Sequence, residues 1–145
     1  MSIIKDIYDV GKEGAVLKAQ IVAIKRALST ELNLNRKLLS EIEKSAEIEN
    51  SRRIEIIHML ELAELTSAVK HPIPYWAISN KKVTDEMTRT FHVAKLKGNG
   101  IEEIILKLFL MISYIKKDYQ NKKLSLHIRL LNIYKYNRIL IELLK

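Results

Sequence analysis

Cysteine is absent from this 145-residue chain. That removes disulfides, thiol nucleophiles and every Cys-based zinc or iron–sulfur site, and it fits a reducing, cytoplasmic setting. Glycine (4) and proline (2) are scarce and aromatics are 6%, so the frequent turns that a strand-rich fold demands have no supply of residues. Long apolar runs are missing as well. The best stretch, Ile104 to Ile115, is broken by Lys107 and falls short of the ~20 residues that span a bilayer. Met1 to Asp6 lacks the basic start and apolar core of a secretion signal. A soluble all-α protein with no membrane span is the expectation.

Catalytic and cofactor signatures are equally thin. There is no Walker loop, dinucleotide fingerprint, nucleophile elbow or zinc-peptidase helix. Gly98-Asn99-Gly100 is too short for a phosphate loop and lacks the Lys-Ser/Thr ending. Glu55 and His58 form one Glu-x-x-His unit, of which di-iron bundles use two, with two further glutamates. None of His71, His92 and His127 has a glutamate three residues before it. A non-enzymatic protein with no cofactor and no metal follows.

What is present is heptad order. Ile3, Ile7, Val10, Gly14, Leu17, Ile21, Ile24 and Leu28 fall alternately four and three residues apart. That is the narrow stripe of a coiled-coil seam, and it marks a surface for pairing with a second copy or a partner helix. Ser2 is a suitable N-cap for this helix. Beyond Leu28 the register meets Glu31, Asn35, Ser45 and Glu49, with only Leu38 and Ile42 apolar. The helix either breaks near Ser29-Thr30-Glu31 or continues to about Glu47. A polar Asn35 on the seam is a device for fixing register or partner number.

The remaining chain reads as a bundle of about four helices. Glu47 to Arg53 is a turn with Asn50 or Ser51 as cap. Ile54 to Val69 is apolar nearly all round and predicts one deeply buried helix. His71-Pro72-Ile73-Pro74 ends it near Lys70. Ile73 to Trp76 resembles the entry to a PAS sensor domain over those residues alone, and the downstream sequence offers none of the strands such a core requires. Tyr75 and Trp76 are either a lid on the core, which the shortage of other large aromatics favours, or recognition aromatics. Thr84 to Lys97 predicts a helix stopped by Gly98-Asn99-Gly100. Ile101 to Tyr119 predicts the next, with core positions Ile101, Ile104, Ile105, Leu108, Ile112 and Ile115. Ser125 caps a last helix whose core side is Leu130, Ile133, Tyr134, Asn137, Leu140, Ile141 and Leu144. The organisation is thus an arm over 1–47 and a basic bundle over 48–145.

Charge separates the two halves. Residues 1–70 carry 11 Lys and Arg against 11 Asp and Glu, whereas residues 71–145 carry 14 against 6, which is the whole net +8. Lys116, Lys117, Lys122 and Lys123 cluster at the turn between the last two helices, followed by His127, Arg129, Lys135 and Arg138. Such a set meets an acidic partner or the backbone of RNA or DNA without reading sequence. Two functions therefore stand. One is an assembly or adaptor subunit that docks through the heptad helix and presents a basic surface. The other is a small nucleic-acid-binding subunit of a ribonucleoprotein or phage-defence complex.

Overall fold

A computed structural model describes residues 14–145, with side chains from Leu17 onward. Seven α-helices and one 3-10 turn make up the described residues, with no strand: α1 Gly14–Lys44, α2 Asn50–Met59, α3 Ala63–Lys70, α4 Tyr75–Ile78, α5 Asp85–Phe91, the 3-10 turn Ala94–Leu96, α6 Ile101–Asp118 and α7 Leu126–Leu143. The expected seam positions Ile3, Ile7 and Val10 lie outside the described residues, as does the expected cap Ser2.

α1 is one unbroken helix of 31 residues, about 46 Å long at 1.5 Å per residue. The weak helix formers around Thr30 do not interrupt it because tertiary packing outweighs propensity here. Its main partner is α7, and the antiparallel α6–α7 hairpin is the next most extensive contact. Leu28, Leu32, Leu39 and Ile42 of α1 are buried in that core together with Leu130, Ile139 and Leu140 of α7. From Ile24 to Ile42 the long helix is therefore part of the globular core, not a free arm.

α6 follows its sequence pattern closely. All six expected core positions are buried. Gly100 precedes the helix and donates its N–H to Glu103 Oε2 at 2.6 Å, which satisfies one donor at the helix start. Gly98 adopts φ +83, a conformation that glycine reaches without the Cβ penalty. Ser125 caps α7 by accepting from Ile128 N at 3.2 Å. α7 buries Tyr136, Ile139 and Leu143 as well as the expected Leu130, Ile133, Asn137, Leu140 and Ile141, because α1 and α6 both pack on it, while the expected Tyr134 is only half-buried.

Two expectations change. Thr84 does cap α5, accepting from Met87 N, but that helix ends at His92, which takes φ 56 and ψ 49, and only a 3-10 turn follows. The Ile54–Val69 segment is two helices rather than one. Leu60 and Leu62 leave helical geometry with no glycine or proline between them. Side chains of α1 hold this break open. Asn35, fully buried, donates Nδ2 to Glu61 O at 2.9 Å and accepts Glu61 N at 2.8 Å through Oδ1. Glu31 accepts Glu64 N and Leu65 N, each at 2.9 Å, one on each carboxylate oxygen. The two residues that interrupt the apolar register thus supply the backbone partners that a continuous helix would have supplied internally. Glu31 caps α3 from 33 residues away. Burial raises its pKa above the ordinary 4.5, with the two N–H donors pulling the other way.

Candidate functional site at the helical hairpin turn

The turn between α6 and α7 is built by short-range hydrogen bonds. Asn121 N donates to Asp118 O at 2.9 Å, Leu124 N to Asn121 O at 3.2 Å, and Lys123 N to the Asn121 side chain at 3.1 Å. This locally bonded loop faces the first turn of α2. Between them lies a cavity of about 540 Å³, lined among others by Asn50, Arg53, Tyr119, Gln120, Asn121, Lys122, Ser125 and His127.

Three of these lining side chains are Arg53, Lys122 and His127, several others donate or accept hydrogen bonds, and no carboxylate among the described residues lines the cavity. Arg53 Nη2 donates to Ala46 O at 2.9 Å and stands 3.5 Å from His127 Nδ1. A guanidinium only donates, so Nδ1 is the accepting side of this long contact. Arg53 Nε is buried with no hydrogen-bond partner among the described residues. α2 and α7 also both begin at the cavity, at Asn50 and Leu126. The first N–H groups of each helix have no intrahelical carbonyl to bond, and the positive ends of both dipoles reinforce the side-chain charge. The arrangement suits a group rich in anionic oxygens.

The basic residues picked out from the sequence divide sharply. Lys117, Lys122 and Lys123 are exposed around the turn. Lys116 is not part of that surface: its Nζ donates to Ile57 O at 2.8 Å and to His58 O at 3.4 Å, closing the C-terminal end of α2. Burial lowers its pKa, opposed by the charge of Glu61. Arg129 is held by Asp118 at 2.6 Å. Arg138 lies over the rings of Phe91 and Tyr134, 5.5 and 5.8 Å from their centroids, and donates to Tyr134 Oη at 2.9 Å. Lys135 is half-buried. Periodicity and charge counting did not bring in Arg53, because it sits in the electrically balanced half and reaches His127 across 74 residues. The adjacent Arg52-Arg53 pair at a helix start was the only local signal, and Arg52 is occupied by Glu41 at 2.7 Å.

The other candidates settle as follows. Glu55 is exposed beside Arg52, at 3.9 Å, and His58 packs edge-on against Tyr119 with ring centroids 5.1 Å apart. Among the described residues no group of three His, Asp or Glu side chains could hold a metal. Tyr75 is the lid: its hydroxyl donates to Ala68 O at 2.8 Å, and burial, with a smaller effect of Glu102, pushes its pKa up to about 12. Trp76 is 78% exposed and closes nothing. On α1, Leu17 and Ile21 are half-buried, whereas Ile24 and Leu28 are buried in the chain's own core; Gly14 is the first described residue of the helix. A second depression of about 420 Å³ lies along α1, lined by Ala23, Arg26, Ala27 and Leu34 together with Glu31, Glu61 and Glu64. No described helix is long and apolar enough to cross a membrane. Comparison with protein-family models, curated proteins and solved structures finds no match to this chain.

Proposed function

We propose that this protein is a non-enzymatic binding subunit that holds the phosphate backbone of a nucleic acid at the α6–α7 turn, without reading base sequence. The observation that carries this reading is the carboxylate-free cavity in which Arg53, Lys122 and His127 converge with the starts of two helices. The exposed Lys122 and Lys123 extend the positive surface outward from the cavity, where lysines neutralise phosphates. Lysines dominate, and the arginines needed for bidentate base contacts, Arg129 and Arg138, are committed to Asp118 and Tyr134. Backbone contact without direct readout is what such a set supports. A place as a small component of a ribonucleoprotein or phage-defence assembly is consistent with that chemistry.

The test is fluorescence anisotropy with labelled single-stranded RNA and duplex DNA across a salt series. We expect log Kd to rise with log salt at a slope near +0.7 (single strand) or +0.9 (duplex) per phosphate engaged, for about three phosphates. K122E/K123E should weaken binding at least ~10-fold, and R53Q should weaken it with both exposed lysines intact. Absence of binding at low salt, or binding unaffected by both variants, refutes the proposal.

A second reading, an adaptor docking a partner helix along α1, is favoured by the groove beside Ala23, Ala27 and Leu34 with its acidic lip. It is the weaker of the two, because Ile24 and Leu28 already serve the internal core.

A further inference from the structure

α6 carries a second ordered stripe on the face away from its core. Leu106 is 47% exposed, Leu110 41% and Tyr114 62%. At 100° per residue these three, together with Glu103, Ser113 and Lys117, fall within one sector about 100° wide. α7, α3 and α2 all pack on this helix, and the stripe is what α6 leaves exposed. An apolar helix face with a polar border of this kind marks an interaction surface.

The stripe is symmetric about Leu110. Leu106 and Tyr114 lie four residues to either side of it, and Glu103 and Lys117 seven. The end groups have opposite charge. In an antiparallel pair related by a two-fold axis through Leu110, each Leu106 meets the Tyr114 of the other copy, each Glu103 meets the other's Lys117, and the two Leu110 side chains face each other. A two-fold interface demands this reciprocity, in which i meets j and j meets i. The same register opposes Glu102 to Asp118, but the Asp118 carboxylate is already neutralised by Arg129 at 2.6 Å. Beside Tyr114, a depression of about 280 Å³ lined by Met111, Asn132 and Ile133 adjoins the position where the partner's Leu106 arrives.

We infer that the protein forms an isologous dimer through α6, with Leu110 on the two-fold axis and Glu103–Lys117 ion pairs at both ends. The occupant is a second copy because the charges and bulky groups complement themselves. One helix pair covers roughly half of the ~800 Å² per partner typical of a stable complex, so the dimer is weak, dissociating in the micromolar range. Exposed ion pairs of this kind contribute mainly to orientation and partner choice.

Sedimentation velocity of the full chain over a concentration series tests this. The wild type should pass from monomer to dimer. L110D should raise the dissociation constant at least ~30-fold, the size of a central hot-spot loss, with an unchanged thermal melt. K117E sets Glu103 against a second glutamate and should weaken the dimer several-fold, and E103K should do the same in the opposite sense. Mixing K117E with E103K restores both ion pairs, so a heterodimer should form more tightly than either homodimer. Glu103 also accepts the Gly100 N–H, so E103K is read only with its melt intact; L110D decides the matter otherwise. A wild type that stays monomeric up to its solubility limit overturns the inference. So does a dimer that ignores L110D and K117E but is lost when residues 1–13 are removed.

Discussion

Substituting Glu31→Gln separates two opposing consequences of one buried carboxylate. Glu31 is 5% exposed and accepts two N–H groups at the start of α3, one on each oxygen. The amide keeps size and shape but replaces one acceptor by a donor, so one of those N–H groups faces an NH2 and loses its partner. Loss of a helix cap or of a single buried hydrogen bond costs about 1–2 kcal/mol. For a domain of this size that corresponds to a fall of about 3–7 °C in melting temperature. Protonation then sets how the cost varies. Burial raises the Glu31 pKa above 4.5 in the folded chain, so between pH 4.5 and that raised value the folded state holds more protons than the unfolded state. Stability from this group is complete below the unfolded value and declines as pH rises through the window. The glutamine variant lacks that decline. Its deficit relative to wild type should therefore be largest near pH 4.5 and smaller at pH 7. Urea unfolding of both proteins at the two pH values, followed by circular dichroism, reads the difference while all other carboxylates cancel. A deficit that grows with pH would show that the charge–dipole attraction outweighs burial, and a variant as stable as wild type at both pH values would refute the capping role.

Two further outcomes follow from backbone geometry. Asn35→Leu keeps the branched shape but adds bulk at a fully buried site and strips both partners from Glu61, and should cost at least about 2–3 kcal/mol in urea unfolding; an unchanged midpoint would mean that water replaces both bonds. His92→Gly relieves a left-handed residue at the end of α5 and should add about 0.5–1 kcal/mol after the entropy cost of glycine, visible as a higher thermal midpoint.

The parts of this fold that are legible in the sequence are those decided locally. In α6 the apolar spacing, the glutamates of the first turn, the lysines of the last and the Gly98-Asn99-Gly100 stop all agree with one helix, so consistent local signals fix it. The break after Met59 has no such signal. It depends on Asn35 and Glu31, 26 and 33 residues away, which in the sequence stand out as polar interruptions of a seam, with Asn35 read as a device for register or partner number. The same limit hides Arg53 from charge counting. Tyr75 and Trp76 illustrate a geometric choice. Neighbouring residues on a helix project ~100° apart, so when Tyr75 turns inward to Ala68 its neighbour is directed to solvent. Scarcity of aromatics argues for a lid but cannot say which of two adjacent rings becomes it. Lys116 shows the converse: composition places it in a basic patch, and proximity to the end of α2 removes it.

The packing of α1 against α7 has a consequence for how the protein is made. Asn137 Nδ2 donates to Leu32 O across 105 residues, and the apolar side of α1 is covered by a helix that follows it by that distance. At ~5–20 residues per second, Leu28, Leu32 and Leu39 emerge about 5–20 s before the helix that shelters them. During that interval α1 is an uncovered apolar stripe in a crowded cell. Glu31 and Asn35 lie within that stripe, and a charge or an amide between leucines is a recognised guard against self-association of nascent segments. The two residues that later clamp α3 thus serve the chain twice, first by keeping its longest helix from sticking and then by deciding where its neighbour bends.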